Sequence, residues 1–386
     1  MEKINTIGYS LKDVAIVQET VSRFSSRSQV IPFVKTCKKE TLPIFVSPMD
    51  SVTDENNYKI WQNNKLTPVI PRTVQKRLSL RDRLILGREC FISLSLNETE
   101  KLFKMIKEDT VLMYLSEECP LYICIDIAHG TMSKLLDLCK DIKSKYGQRV
   151  IIMTGNIANP EAYKLYCKAH IDYVRCAIGG GSRCTTSVNV GIHYPMASLL
   201  DKICHYKRCM LAENSYNKFP ITDPRHNFVT KVVADGGISW FDDINKALAI
   251  GADYVMCGKM FAECEEACGE IGWAKDINEM MDGNYVTNDD YNILVKDEYK
   301  SLLKPFRIYK GMSTRDAQKG MGGNGTKTSE GISKAVEVKY PVSKLVNNIE
   351  SYLRSAMSYT NSETIEEFNN SEIVVLGGNS YNSFVK

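Results

Sequence analysis

Residues 178–186, IGGGSRCTT, place one thiol, three hydroxyls and three consecutive glycines within nine positions. A thiolate is the attacking form of cysteine, and backbone N–H groups or a helix N-terminus beside it would lower its pKa towards neutrality. Cys184 therefore reads as a candidate nucleophile. Gly179, Gly180 and Gly181 let the backbone come close to a ligand, and Ser182 can donate to a phosphate oxygen. Most of the 13 cysteines read instead as small buried hydrophobes; Cys184 differs because polar residues and glycines surround it. Two further stretches have the same character. In ADGGIS (234–239), the Asp235 carboxylate can accept from both hydroxyls of a ribose, while the N–H groups of Gly236 and Gly237 can meet a phosphate. CGKMF (257–261) adds Gly258 and Lys259. Together they look like a cradle for a nucleoside monophosphate.

These stretches must be positioned by regular elements. Eight short apolar runs, LPIFVSPM (42–49), LTPVIPR (66–72), CFISLSL (90–96), LYICIDIA (121–128), VIIMTGN (150–156), YVRCAIG (173–179), KVVADGG (231–237) and YVMCGKM (254–260), each have the length of a fully buried strand. Amphipathic stretches separate them. Residues 131–147 put Leu135, Leu136, Leu138, Cys139 and Ile142 on one helical face, and 241–252 repeat at three and four residues. The second is expected to start after Ser239 with Asp242 and Asp243 in its first turn, and Gly147 and Gly251 suit the two C-termini.

Eight strands alternating with helices predict a parallel α/β structure, and eight is the number that closes a (β/α)8 TIM barrel. An open doubly wound sheet is the alternative, weakened because GxGxxG is missing after the first strand. Barrel chemistry sits at strand C-termini, and phosphate sites commonly form after strands seven and eight, where ADGGIS and CGKMF fall. Residues 262–310 read as a polar insertion after strand eight. Residues 311–335 hold six glycines in 25 positions and read as a flap over the barrel mouth or as a surface loop. The expected organisation is one catalytic barrel over 1–386, with the flap and insertion at about 262–335.

With 386 residues, 44% apolar and 25% charged, the composition is ordinary for a globular protein. A net charge of +3 leaves no basic surplus to coat a nucleic acid. No cysteine pair has CxxC spacing, so neither a zinc knuckle nor a disulfide framework is indicated. The N-terminus has no apolar signal region, and no run approaches the roughly 18 apolar residues of a membrane span. The expectation is a soluble, cytoplasmic protein without nucleic-acid or membrane partners.

The motifs SPMDSVT (47–53), TGNI (154–157), GGGSRCTT (179–186), ADGGI (234–238) and YKGM (309–312) occur in the order found in the inosine monophosphate dehydrogenase and guanosine monophosphate reductase family, which the chain resembles from about Gly8 to Phe368. The resemblance implies a nicotinamide-dependent oxidoreductase acting on GMP or IMP, and a homotetramer. It implies that Cys184 attacks purine C2, that Ser182, Gly236, Gly237, Gly258 and Tyr309 hold the phosphate, and that Asp235 holds the ribose. Lys259 would join the phosphate contacts, and Gly311, Met312 and Ser313 would contact the base. Asp126, Asn156 and Arg72 would line the cofactor side, and carbonyls of Gly179, Gly181 and Cys184 would hold a potassium ion.

Within the family the resemblance leans towards the reductase. TKTSEG (326–331) is similar to the reductase segment whose glutamate, with the threonine two residues after the cysteine, protonates the departing amine; here these are Glu330 and Thr186, with Lys327 and Ser329 beside the base. A hydroxyl relayed by a carboxylate suits that work. The Arg-Tyr pair that dehydrogenases use to activate water is missing between 311 and 340, where Arg315 is the single arginine. GMS (311–313), VNVGIHYPM (188–196) and the opening at 8–30 also resemble the reductase. Only 17 residues separate Arg72 from Cys90, which leaves no room for the regulatory CBS (Bateman) insert of most dehydrogenases. The implied cofactor is NADPH, with NADH or NAD as alternatives.

Several residues depart from the family pattern. Lys259 stands for a small residue, Arg72 for a lysine, Lys327 for an arginine and His129 for an amide, and the insertion around 274–300 is long. Two alternatives therefore stand beside the reductase: an IMP dehydrogenase lacking the CBS domain, and a catalytically idle barrel that binds purine nucleotides.

Overall fold

The computed structural model describes residues 7–75, 77–108, 115–180, 186–217, 227–294, 297–311, 314 and 332–377. Its centre is a closed barrel of eight parallel strands in chain order: β1 (Ile44–Val46), β2 (Thr67–Ile70), β3 (Phe91–Leu94), β4 (Leu121–Asp126), β5 (Val150–Ile157), β6 (Tyr173–Cys176), β7 (Lys231–Asp235) and β8 (Tyr254–Cys257). All eight expected runs are barrel strands, so the fold is a (β/α)8 barrel. The runs are apolar throughout because both faces of a parallel barrel strand are covered. Phe45, Phe91, Tyr173 and Tyr254 point inward and pack ring against ring; Phe45 meets Phe91 edge-on at 5.6 Å and Tyr173 at 5.8 Å.

Eight helices wrap the outside: α1 (Tyr58–Asn63), α2 (Leu80–Leu86), α3 (Leu96–Glu108), α4 (Ser133–Tyr146), α5 (Ala162–Lys168), α6 (Met196–Asn217), α7 (Phe241–Ile250) and α8 (Val342–Tyr359). Helix α4 buries Leu135, Leu136, Cys139 and Ile142 as its spacing predicts. Helix α7 starts after Ser239 with Asp242 and Asp243 in its first turn, as expected. The Asp243 carboxylate, one turn inside the helix, accepts from the backbone N–H groups of Ser239 and Trp240 at 2.9 and 3.0 Å, so a residue within the helix seals its own N-terminus.

The N-terminal rim is built for stability. Asp172, just before β6, accepts from Ile152 N–H at 2.8 Å and pairs with Lys143 of α4 at 2.9 Å. Asp253, just before β8, repeats the device with Val232 N–H and Lys207 of α6, both at 2.7 Å. A hairpin, Val34–Thr36 with Lys39–Thr41, lies against this end, and Thr36 Oγ1 donates to the Tyr254 hydroxyl at 3.1 Å. Its two-residue turn puts Cys37 at φ 46° and Lys38 at φ 62°, the left-handed pair that glycine suits best. Lys38→Gly should therefore stabilise the fold by about 1 kcal/mol. A denaturant midpoint that does not rise would show that the turn is unstrained.

The insertion after β8 is not irregular. Strands β9 (Ile271–Ala274), β10 (Val286–Thr287), β11 (Lys304–Lys310) and β12 (Ser333–Glu337) form an antiparallel sheet in the order β10-β9-β11-β12. Ala274, Met280, Phe306 and Ala335 make a small core of its own. The glycine-rich stretch expected to form a flap lies almost wholly outside the described residues, and its end forms β12. Among the described residues no helix is long and apolar enough to cross a membrane.

Candidate active site

Side-chain alternation decides what reaches the mouth of the barrel. In β6 Tyr173 points into the barrel while Val174 and Cys176 pack outward, so Arg175 points inward one layer above Tyr173. The same rule, from Cys124 and Val233 inward, brings Asp126 and Asp235 inward at the C-terminal ends of β4 and β7. Arg175 joins them. Its Nη1 donates to Asp126 Oδ1 at 2.6 Å, and its Nε and Nη2 both reach Asp235 Oδ2 at 2.8 Å. Burial opposes the charge, but Asp235 and Asp126 outweigh it and hold the guanidinium protonated well above its ordinary value. Gly155 of β5 makes room: a side chain there would stand 2.5 Å from the Arg175 carbonyl oxygen.

Asn156 adds a third donor to the same oxygen, with Nδ2 at 2.8 Å from Asp235 Oδ2. Among the described residues Asp235 Oδ1 and Asp126 Oδ2 take no hydrogen bond, so each carboxylate is anchored by one oxygen and presents the other. Asn156, expected on the cofactor side, thus also reaches Asp235. Arg175 itself did not emerge from the sequence. Its signal was a cation in the otherwise apolar run YVRCAIG, two residues after an inward ring.

The glycine loops after β6 and β7 run side by side. A side chain at Gly237 would lie 3.5 Å from the Gly180 carbonyl oxygen. Ser187 Oγ donates to Gly179 O at 3.2 Å. Gly181, Ser182 and Cys184 lie outside the described residues. Thr186 opens the short helix Thr186–Val190. Of the twelve other cysteines, eight are buried. Burial pushes the thiols of Cys124, Cys139 and Cys204 up to about 12, which leaves them without thiolate near neutral pH.

On the other side of the mouth, β11 brings Tyr309 against the loops after β1 and β8. Its hydroxyl donates to Met49 Sδ at 3.1 Å and would stand 2.5 Å from a side chain at Gly258, so that position must be glycine for the tyrosine to close. Lys310 N–H donates to Ser51 Oγ at 3.4 Å, and Gly311 is buried directly after it. Lys259 opens a one-turn helix, Lys259–Ala262, and its Nζ lies 3.9 Å from Glu263 Oε1 along the helix flank. Arg72 sits after β2 with Nε 3.4 Å from Glu98 Oε2. Burial opposes ionisation of Glu98, but hydrogen bonds from Ser95 and the Arg72 charge prevail and hold its carboxyl below the usual range. Met312, Ser313, Lys327, Ser329 and Glu330 lie outside the described residues.

The barrel fold agrees with comparisons to known proteins. A family model described as "IMP dehydrogenase / GMP reductase domain" matches residues 110–381. The inosine-5'-monophosphate dehydrogenase of Chlorobaculum parvum is 30% identical over 257 residues, which are 64% of this chain and 43% of that protein. The GMP reductase of Buchnera aphidicola is 29% identical over 248 residues, 64% of this chain and 58% of the relative. The GMP reductase of Shewanella pealeana is 27% identical over 375 residues, 92% of this chain and 91% of the relative. The chain thus spans less than half the length of the dehydrogenase and nearly all of the Shewanella reductase.

Proposed function

Because this chain belongs to the IMP dehydrogenase / GMP reductase family, we propose that it is a GMP reductase, converting GMP, NADPH and a proton to IMP, ammonia and NADP. The observation that carries this reading is the Arg175 bridge, which fixes two carboxylates across one barrel mouth. Asp235 Oδ1 then suits a ribose diol, next to the Gly236–Gly237 turn and the Gly258–Lys259 corner that would take the phosphate. Asp126 Oδ2 is an acceptor suited to a carboxamide or hydroxyl of a nicotinamide nucleoside, which Asn156 and Arg72 would help to hold.

The Cys184 thiolate bonds to purine C2, and the C2–amine bond breaks with its electron pair going to nitrogen. Thr186, relayed by Glu330, donates the proton that lets the amine leave as ammonia, giving a thioimidate on the enzyme. NADPH, held on the Asp126 side, would supply the hydride for C2, and release of the Cys184 thiolate from C2 would free IMP. The same reading gives Gly179, Gly181 and Cys184 carbonyls to a potassium ion, and makes the protein a cytoplasmic homotetramer of single barrels. Correspondence along nearly the whole Shewanella reductase supports reductase over dehydrogenase.

Purified protein with GMP and NADPH should consume NADPH and release ammonia in equal amounts. Reduction of NAD with IMP, without GMP turnover, would instead make it a dehydrogenase, the reading that the Chlorobaculum relative favours. Ligand-induced stabilisation by either nucleotide without redox change would make it an idle binding barrel. Glu330→Gln should slow ammonia release by roughly 100-fold while GMP affinity changes little. Equal ammonia rates in variant and wild type would remove the relay.

A further inference from the structure

Strand β11 carries a second buried arginine, outside the network above. Arg307 is 1% exposed, and no carboxylate pairs with it among the described residues. Its partners are carbonyls of the turn that follows β8. Nη1 donates to Ala262 O at 2.9 Å and Cys264 O at 2.7 Å, Nη2 to Glu265 O at 3.1 Å and Nε to Gly269 O at 3.3 Å. Lys339 N–H donates to Glu263 O and Asn57 Nδ2 to Glu266 O, each at 2.9 Å, so every carbonyl from 262 to 266 has a donor. A turn without regular structure is thereby fixed at each peptide, chiefly by one side chain.

The turn is linked to the candidate nucleotide site at its first residue and through Arg307. Ala262 closes the one-turn helix that begins at Lys259, beside Gly258. Arg307 lies two residues before Tyr309, which packs on Gly258 and Met49. We propose that Arg307 is a positioning residue: by clamping the 262–269 turn to β11 it sets the distance between the Gly258–Lys259 corner and Tyr309, and so the fit of the nucleotide's phosphate. The inference rests on the nucleotide-monophosphate reading above. Arg307 touches no substrate in it. It acts by holding two donor-bearing segments in one geometry, and a phosphate site loses affinity when its donors are misplaced by a fraction of an ångström.

The test is a comparison of Arg307→Lys and Arg307→Met with the wild type. Lysine keeps charge and stem, but one nitrogen cannot serve four carbonyls; methionine serves none. The GMP dissociation constant, measured by calorimetry, should rise about tenfold in the lysine variant and about 100-fold in the methionine variant. The KM for NADPH and kcat at saturating GMP should stay within about twofold in the lysine variant. A folded Arg307→Lys protein with unchanged GMP affinity overturns the proposal, even if it melts earlier. So does a loss of equal size for GMP and NADPH, the sign of general loosening. If the wild type binds neither GMP nor IMP, the parent reading fails and the inference falls with it.

Discussion

An Arg175→Met variant will lose both turnover and stability. The side chain is 9% exposed and is the shared partner of Asp126 and Asp235, themselves largely buried. Methionine fills similar space but leaves two carboxylates facing each other without a cation, which costs about 3–5 kcal/mol when a buried pair is broken from one side. Among the described residues Asp235 would then be held by Asn156 alone, and kcat/KM for GMP should fall by roughly 100-fold or more. The pH dependence gives a sharper sign. In the wild type the two acids outweigh burial and hold Arg175 charged. Without that cation two like charges face each other, a penalty that acid relieves and alkali restores. The variant's deficit against wild type should widen from pH 5 to pH 8. A deficit that is constant or shrinks over that range would mean the two carboxylates do not depend on Arg175. Arg175→Lys should fall between, because one ammonium cannot fork to both acids.

Cys184→Ser is expected to be the most damaging change to catalysis. A serine hydroxyl remains protonated near neutral pH and is a far weaker nucleophile than a thiolate, so formation of the bond to C2 should slow by at least about 10⁴-fold. GMP affinity should change little, since exchanging sulfur for oxygen removes none of the proposed ribose and phosphate contacts. Steady-state kcat and calorimetric affinity, measured on the same preparation, separate the two. Weakened binding with normal kcat would place Cys184 among the structural cysteines.

Much of this site was readable before any coordinates. The eight barrel strands stood out because burial on both faces makes each an unbroken apolar run, and their order placed Asp126, Asp235 and Gly258 at the mouth. The same apolar reading hid Arg175 and Arg307. A strand treated as one run does not separate inward from outward positions, and only that separation shows Arg175 standing above Tyr173. The insertion sheet was hidden for a different reason. Its strands are short and half exposed, and β12 pairs with β11 across the glycine-rich stretch, so no local pattern announces the pairing. Glu98, which the motif reading passed over, closes a Ser95-x-x-Glu98 capping box at the start of α3, where Ser95 N–H reaches Glu98 Oε2 at 2.6 Å. Its second role, as partner of Arg72, joins loops after different strands and becomes visible only in the closed barrel.

The central claim is a covalent bond between the Cys184 sulfur and C2 of the nucleotide, and mass spectrometry of the intact protein tests it most directly. Protein mixed with GMP and quenched in acid during turnover should show a species heavier by one GMP less one ammonia, mapped by peptide analysis to Cys184 and missing from Cys184→Ser. Sustained turnover in the serine variant at the wild-type rate, with no adduct in either protein, would contradict the account.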